Sequence, residues 1–230
     1  MRLSLWRERW RRCGTFRLFV ERLRLPPYPG ADLVPDGERG ATMAVTIEAP
    51  PDQVWPWLVQ MGGDRGGWYS WDRLDNGGHP SAREVHPEWQ DLARGDYVKY
   101  WTRSGPVDAW EVAALEPNRF LGLRGLTDLR GRNLDPKQAR PAAYIEGLWG
   151  FVLNEVPGGR TRLVIGGYQA IRPRWLGRLI FYWLYIPVTW IMQARMMVVL
   201  KRNIERAATT RPHTIDLRES PLSGVEQPLD

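Results

Sequence analysis

The chain, 230 residues long, predicts an α+β fold in which a curved antiparallel sheet wraps around a long C-terminal helix, with a basic amphipathic helix at the N-terminus. Three observations carry that expectation. One strand and one helix come first, about five strand-length runs follow with turn residues between them, and a long helical stretch closes the folded part. An antiparallel sheet with helices on one face buries such a set of elements.

Each element has its own signal. Residues 1–24, "MRLSLWRERWRRCGTFRLFVERLR", place Leu3, Trp6, Trp10, Cys13, Phe16, Val20 and Leu23 at helical spacing among arginines, which predicts the basic amphipathic helix. Residues 25–40 are rich in Pro and Gly and read as a linker. In "ATMAVTIEAP", Met43, Val45 and Ile47 alternate with Thr42, Ala44 and Thr46, the period of a half-buried strand. Pro50 and Pro51 stop it, and a short helix follows with Val54, Trp55, Leu58 and Val59. "SWDRLDN" predicts one further helical turn. "GDYVKYW", "VDAWEVAALEP" and "RFLGLRG" read as strands, and "YIEGLWGFVLNEV" and "RTRLVIGGYQAIR" flank "PGG" as a hairpin. A helical stretch from Pro173 to about Ala208 ends the domain, assigned to 41–208, and the polar residues 209–230 read as a disordered tail.

Composition removes several function classes. Cys13 is the only cysteine, so an intrachain disulfide and a cysteine-based metal cluster are excluded. His79, His86 and His213 lack the spacing of a zinc site, and no metal or cofactor is expected. The lone cysteine fits a cytoplasmic location. The net charge of +6 is patterned: residues 1–24 and 172–206 each sum to +6, and the remainder sums to −6. Basic segments with interleaved aromatics also occur in nucleic-acid binders, but here they lie at the chain ends without a recognition motif, and no nucleic acid is expected as a partner.

The stretch "MGGDRGGWYSWDRLDNGG", residues 61–78, sets six glycines beside three large rings. It is no phosphate loop, because neither G-x-x-x-x-G-K-[ST] nor G-x-G-x-x-G is present and the preceding element reads as a helix. The run "TIEAPPDQVWPWLVQMGGDRGGWYSWDRLDN", with "HPEWQDLARGD", "WGFVLNEVPGGRTRLV" and "MQARMMVVLKRNIERA", resembles the SRPBCC superfamily of START-like, helix-grip proteins, in its bacterial polyketide cyclase or dehydrase-like branch. The resemblance covers roughly residues 29–206. It implies a seven-stranded sheet and a cavity for an apolar ligand between sheet and C-terminal helix, with the Gly-rich segment rimming the cavity mouth. It brings no general catalytic residues.

Candidate ligand contacts follow from ring size and from that implied cavity. Trp68, Tyr69 and Trp71 sit on the Gly-rich segment, either as the rim of a pocket or as a plug in the core, with Asp72 beside them. Trp89, Trp101, Trp110, Trp149 and Tyr168 sit on or near the strands, and rings of that size either fill core or line a cavity. Met192 and Met196 on the last helix offer an adaptable wall, and Arg195 between them either meets a ligand anion or packs its stem with its head in water. For acid–base chemistry the nearest group is Asp72, Asp75, Glu84, His86 and Glu88, from which no catalytic residue is assigned.

"LIFYWLYIPVTWIMQA", residues 179–194, has no charge but is shorter than the ~20 residues a membrane span needs. Phe181, Tyr182, Trp183 and Tyr185 point all around a helix, so at least one faces outward beside Arg172, Arg174 and Arg178. With residues 1–24, the segment 174–190 therefore predicts docking on an anionic membrane surface, peripheral to the inner membrane. The expected function is binding of a hydrophobic or aromatic small molecule or lipid in an internal cavity. The alternative is a cyclase or dehydrase-type enzyme acting on a polyketide-like or other apolar substrate.

Overall fold

The computed structural model describes residues 28–102, 105–175 and 186–210. The expected helix over 1–24 and the residues 211–230 of the expected tail lie outside the described residues, as do 176–185 of the expected membrane-facing segment.

Seven strands form one antiparallel, curled sheet: β1 (Glu38–Arg39), β2 (Met43–Ile47), β3 (Tyr97–Thr102), β4 (Gly105–Glu116), β5 (Phe120–Thr127), β6 (Tyr144–Val156) and β7 (Arg160–Arg172). Their order is β1-β7-β6-β5-β4-β3, with β2 also pairing with β7. The β6–β7 hairpin turns at Pro157–Gly159 and is the longest ladder, from Tyr144↔Arg172 to Val156↔Arg160. Register shifts at Val98/Lys99 and between Val112 and Ala114 interrupt the β3–β4 and β4–β5 ladders. Such bulges bend a strand and increase its twist, which helps the sheet to curl.

Among the described residues three α-helices accompany the sheet: α1 (Pro51–Val59), the single turn α2 (Asp72–Asp75) and the 25-residue α3 (Ile186–Thr210). Pro51 opens α1 where its missing N–H costs nothing. On α3, Met196, Met197, Leu200 and Ile204 recur at helical spacing and are buried against the concave face of the sheet. Val45, Ile47, Leu121, Leu123, Phe151, Leu163 and Ile165 meet them there, together with Val54, Trp57 and Leu58 of α1. Each such side chain contributes about 1.5–3 kcal/mol on burial. The far end of α3 is tied to β2, because Lys201 Nζ donates to the Thr46 carbonyl at 2.7 Å and Glu205 accepts from the Glu48 N–H at 2.8 Å.

The convex face has a separate core of Tyr28, Val34, Phe120, Leu126, Tyr144, Leu148, Tyr168 and Ala170. It corrects the linker boundary drawn from composition. Residues 28–40 pack on the sheet, with Tyr28 and Val34 buried and β1 paired to β7 at Glu38↔Gln169 and Arg39↔Tyr168. Proline and glycine mark turns, and here the turns fasten the segment down.

Candidate functional site

The Gly-rich segment 61–78 is built as a loop closed on itself. Gly62 and Gly67 form an isolated bridge, and Gly67 adopts φ +74°, where a Cβ would also come within 2.6 Å of the Ser81 hydroxyl. Both the backbone conformation and the space therefore require glycine. The loop then carries three rings in three directions.

Tyr69 turns inward and is fully buried, with φ 56° and its phenol oxygen accepting a 2.7 Å hydrogen bond from Gln60 Nε2. Gln60 also donates to the Glu84 carbonyl and accepts from the His86 N–H, so it staples the loop to the segment after it. Burial raises the Tyr69 phenol well above its ordinary range. Of the two roles open to it, Tyr69 takes that of a core plug. Trp71 turns to α3, where the Arg195 guanidinium sits 5.0 Å from its ring and Arg195 Nε donates to the Ser70 carbonyl at 2.9 Å. Arg195 thus holds the loop against the helix rather than facing a cavity. Asp72 is likewise structural, accepting from the Ser81 hydroxyl at 2.6 Å.

Trp68 is the ring that joins the sheet. It stacks on Trp149 of β6 with centroids 5.7 Å apart, and the Tyr100 ring of β3 lies 6.5 Å from it. Trp149 continues the array to Trp110 of β4 at 5.7 Å and to Phe151 at 5.0 Å. Three of the predicted residues, Trp68, Trp110 and Trp149, therefore meet in one aromatic array on the concave face.

The other predicted residues do not join it. Tyr168 lies on the convex face, because strand alternation puts Trp149, Phe151, Leu163 and Ile165 on one side and Leu148, Val164 and Tyr168 on the other. Trp101 stacks on His79 at 4.6 Å, and its indole N–H donates to the Gly63 carbonyl. Trp89 packs on His86 at 4.2 Å. Met196 is core, while the half-buried Met192 accepts from Ser70 Oγ through its backbone carbonyl.

What distinguishes the array is the set of polar atoms around it. The indole N–H groups of Trp68 and Trp149, Gln169 Oε1, Asp75 Oδ1 and Asn76 Oδ1 are all buried without a hydrogen-bond partner. Leaving a buried polar group unpaired costs about 1–3 kcal/mol, and native proteins carry few such groups. Gln169 shares the concave face: a Cβ placed on Gly147, two residues from Trp149 on β6, would approach Gln169 Cγ at 3.7 Å. Gly147 pairs with Gly125 across β5–β6, so two adjacent positions between Trp110 and Gln169 carry no side chain.

Asp75 closes one end of this region. It is 4% exposed, and burial pushes its carboxyl up to about 6, partly offset by a hydrogen bond with Ser70 and reinforced by the charge of Asp72. Tyr100 feels the same neighbourhood, its phenol raised first by burial and then by the Asp75 charge. Of the five acid–base candidates, only Asp75 has this setting. Glu88 is exposed, and hydrogen bonds from its own backbone N–H and from His86 hold its carboxyl low. Glu84 lies on the rim of a separate cleft of about 610 Å³ between α1 and the end of α3, with Gln53, Arg83, Arg202 and Arg206. None of the twelve predicted contact residues lines that cleft.

Sequence reasoning missed Tyr100, Asn76 and Gln169. The signal for Gln169 was its place opposite Gly147, which is visible only once the register is known.

No family model matches the chain, and no curated protein matches it. Among solved structures, a Polyketide_cyc-like protein from Corynebacterium glutamicum is 15% identical, with 78% of this chain and 99% of that chain covered, at a TM-score of 0.36. The Aha1 dimer from Colwellia psychrerythraea gives 16% identity, 71% and 94% coverage and a TM-score of 0.39. A protein from Mesorhizobium loti gives 21% identity, 72% and 97% coverage and a TM-score of 0.38. At such scores the likenesses carry no weight for activity, and the fold rests on the chain's own topology. A seven-stranded antiparallel sheet curled around a long C-terminal helix is the helix-grip arrangement that the sequence resemblance implies.

Proposed function

We propose that the protein binds a hydrophobic, aromatic small molecule on the concave face of the sheet, against Trp68, Trp110 and Trp149. The observation that carries this reading is the pair of buried indole N–H groups without partners on an array that also holds Gln169 Oε1. An apolar core has no use for such atoms, whereas a ligand that pairs with them recovers their cost. Stacked rings also favour flat aromatic ligands, each ring pair adding about 0.5–1.5 kcal/mol beyond area burial. The neutral fluorescent probe N-phenyl-1-naphthylamine tests the reading. Saturable binding is expected, weakened at least about tenfold in Trp149→Ala; no saturable binding overturns it.

A second component concerns the membrane. Trp175 is 68% exposed, next to Arg174, and Val188, Ile191 and Val198 form an exposed apolar stripe along α3. That combination supports docking on an anionic bilayer through 174–190, with residues 1–24 as the second anchor. Among the described residues no helix is long and apolar enough to cross a membrane. Co-sedimentation with anionic vesicles is expected to weaken as salt rises and again in Trp175→Ala. Equal binding to neutral vesicles, or none to either, removes this component.

A further inference from the structure

Asp72, Asp75, Tyr100 and Arg195 are among the titratable and charged groups at the loop end of the aromatic array. Asp72 accepts from Ser81, the Tyr100 phenol donates to the Leu74 carbonyl at 3.1 Å, and Arg195 donates to the Ser70 carbonyl. Asp75 is buried and in no ion pair among the described residues, and although its carboxyl has a hydrogen bond with Ser70, its Oδ1 is unpaired. The next residue repeats the pattern: Asn76 is buried, its amide nitrogen donates to the His79 carbonyl at 2.7 Å, and its oxygen has no partner. Tyr100 lies between α2 and the array: its phenol bonds the carbonyl of Leu74, the residue before Asp75, and feels the Asp75 charge, and its ring centroid lies 6.5 Å from that of Trp68.

A carboxylate with one oxygen unpaired is expensive to bury, and a core position would be served better by an apolar or a fully paired side chain. Taken with the unpaired atoms on the sheet, the region offers two donors, the indoles of Trp68 and Trp149, and three acceptors, on Asp75, Asn76 and Gln169. The set discriminates between ligand chemistries. A plain hydrocarbon leaves every one of these atoms unpaired. An ammonium only donates, so the indoles stay unpaired. A carboxylate only accepts, and it meets the charge of Asp75. A hydroxyl both donates and accepts, and so serves both kinds of atom.

Building on the aromatic-site reading, we propose that Asp75 is the polar anchor of the site and that the ligand is a flat aromatic molecule bearing a hydroxyl group, which donates to Asp75 Oδ1. The rise in the Asp75 carboxyl to about 6 accords with this, since such a group is readily stabilised as an acceptor by one donor.

Calorimetric titration of the wild-type protein with 2-naphthol, 2-methoxynaphthalene and 2-naphthoate tests the proposal without relying on any variant's folding. The naphthol is expected to bind at least about tenfold more tightly than its methyl ether, because a hydrogen bond to a charged group is lost in the ether, and the naphthoate is expected to bind most weakly. In Asp75→Ala the gap between naphthol and ether should close and the naphthoate should gain affinity. Equal wild-type affinities for naphthol and ether overturn the role of Asp75 and leave the aromatic site standing. No binding of any of the three, nor of N-phenyl-1-naphthylamine, removes the site and the anchor together.

Discussion

The two faces of the sheet solve the same packing problem in opposite ways. Each has a floor of adjacent glycines, and each is crowded with rings. On the convex face Gly122, Gly150 and Gly166 align across β5, β6 and β7, and the slot they leave is filled by the protein's own Tyr28 and Phe120. A Cβ on Gly150 would lie 2.7 Å from the Tyr28 ring. The polar ends of these rings are also served, since Tyr28 donates to the Val164 carbonyl and Tyr168 to the Tyr28 carbonyl. On the concave face the pair Gly125 and Gly147 borders Trp110 and Gln169, and the nearest polar atoms, on Trp149 and Gln169, are unpaired. The ring hydroxyls of the convex face are paired by its own chain, although Arg124 Nε on that face has no partner, whereas on the concave face the rings themselves are left with hydrogen bonds to make.

That contrast is open to attack by substitution. Gly150→Ala should have the largest effect on stability, about 2 kcal/mol of destabilisation by overpacking against Tyr28, read as a lowered denaturant midpoint. A smaller effect is expected at Asp75, with a definite pH dependence. Its folded pKa, about 6, lies above the ordinary 3.8 of a free aspartate, so between those values the folded state binds more protons than the unfolded state. Stability from this group is therefore greatest at low pH and falls as pH rises toward and through about 6. Asp75→Asn should accordingly stabilise the protein by about 1–2 kcal/mol at pH 8 and by little at pH 4. Tyr168→Phe, which leaves the buried Tyr28 carbonyl without its donor, should cost about 1 kcal/mol and leave probe binding unchanged. Smallest of all in stability is Gly147→Ala, because the added Cβ meets Gln169 Cγ at an ordinary 3.7 Å. A change within about 0.5 kcal/mol is expected, yet N-phenyl-1-naphthylamine affinity should fall, since the methyl group occupies the concave floor. A Gly147→Ala that destabilises as much as Gly150→Ala would erase the difference between the two faces.

Much of the architecture was legible because it is written in local periods. The alternation of Met43, Val45 and Ile47, the "PGG" hairpin and the single turn at Asp72–Asp75 each depend on residues within one element. The packing of the linker was not legible, because Tyr28 is buried over Gly150 and Gly166, more than a hundred residues away in β6 and β7. The site divides along the same line. Large rings are conspicuous in a sequence, so Trp68 on the loop and Trp110 and Trp149 in strands could be named as candidates. Which face each ring takes depends on strand register, so Tyr168 was placed on the wrong side, and the bulge between Val112 and Ala114 shifts the faces of β4 part-way along. Asp75 could be seen as a candidate but not separated from Asp72, three residues before it on α2, because what separates them is burial and the unpaired Oδ1 of Asp75, both set by the fold.

The central claim is that the unpaired indole N–H groups on the concave face await a ligand. It is tested most directly by following the indole 15N–1H resonances, assigned by Trp→Phe substitution, as 2-naphthol is added. The account predicts that the Trp68 and Trp149 resonances move together and saturably toward hydrogen-bonded positions, while that of Trp175 stays in place. Saturable binding that leaves both Trp68 and Trp149 unmoved would contradict it.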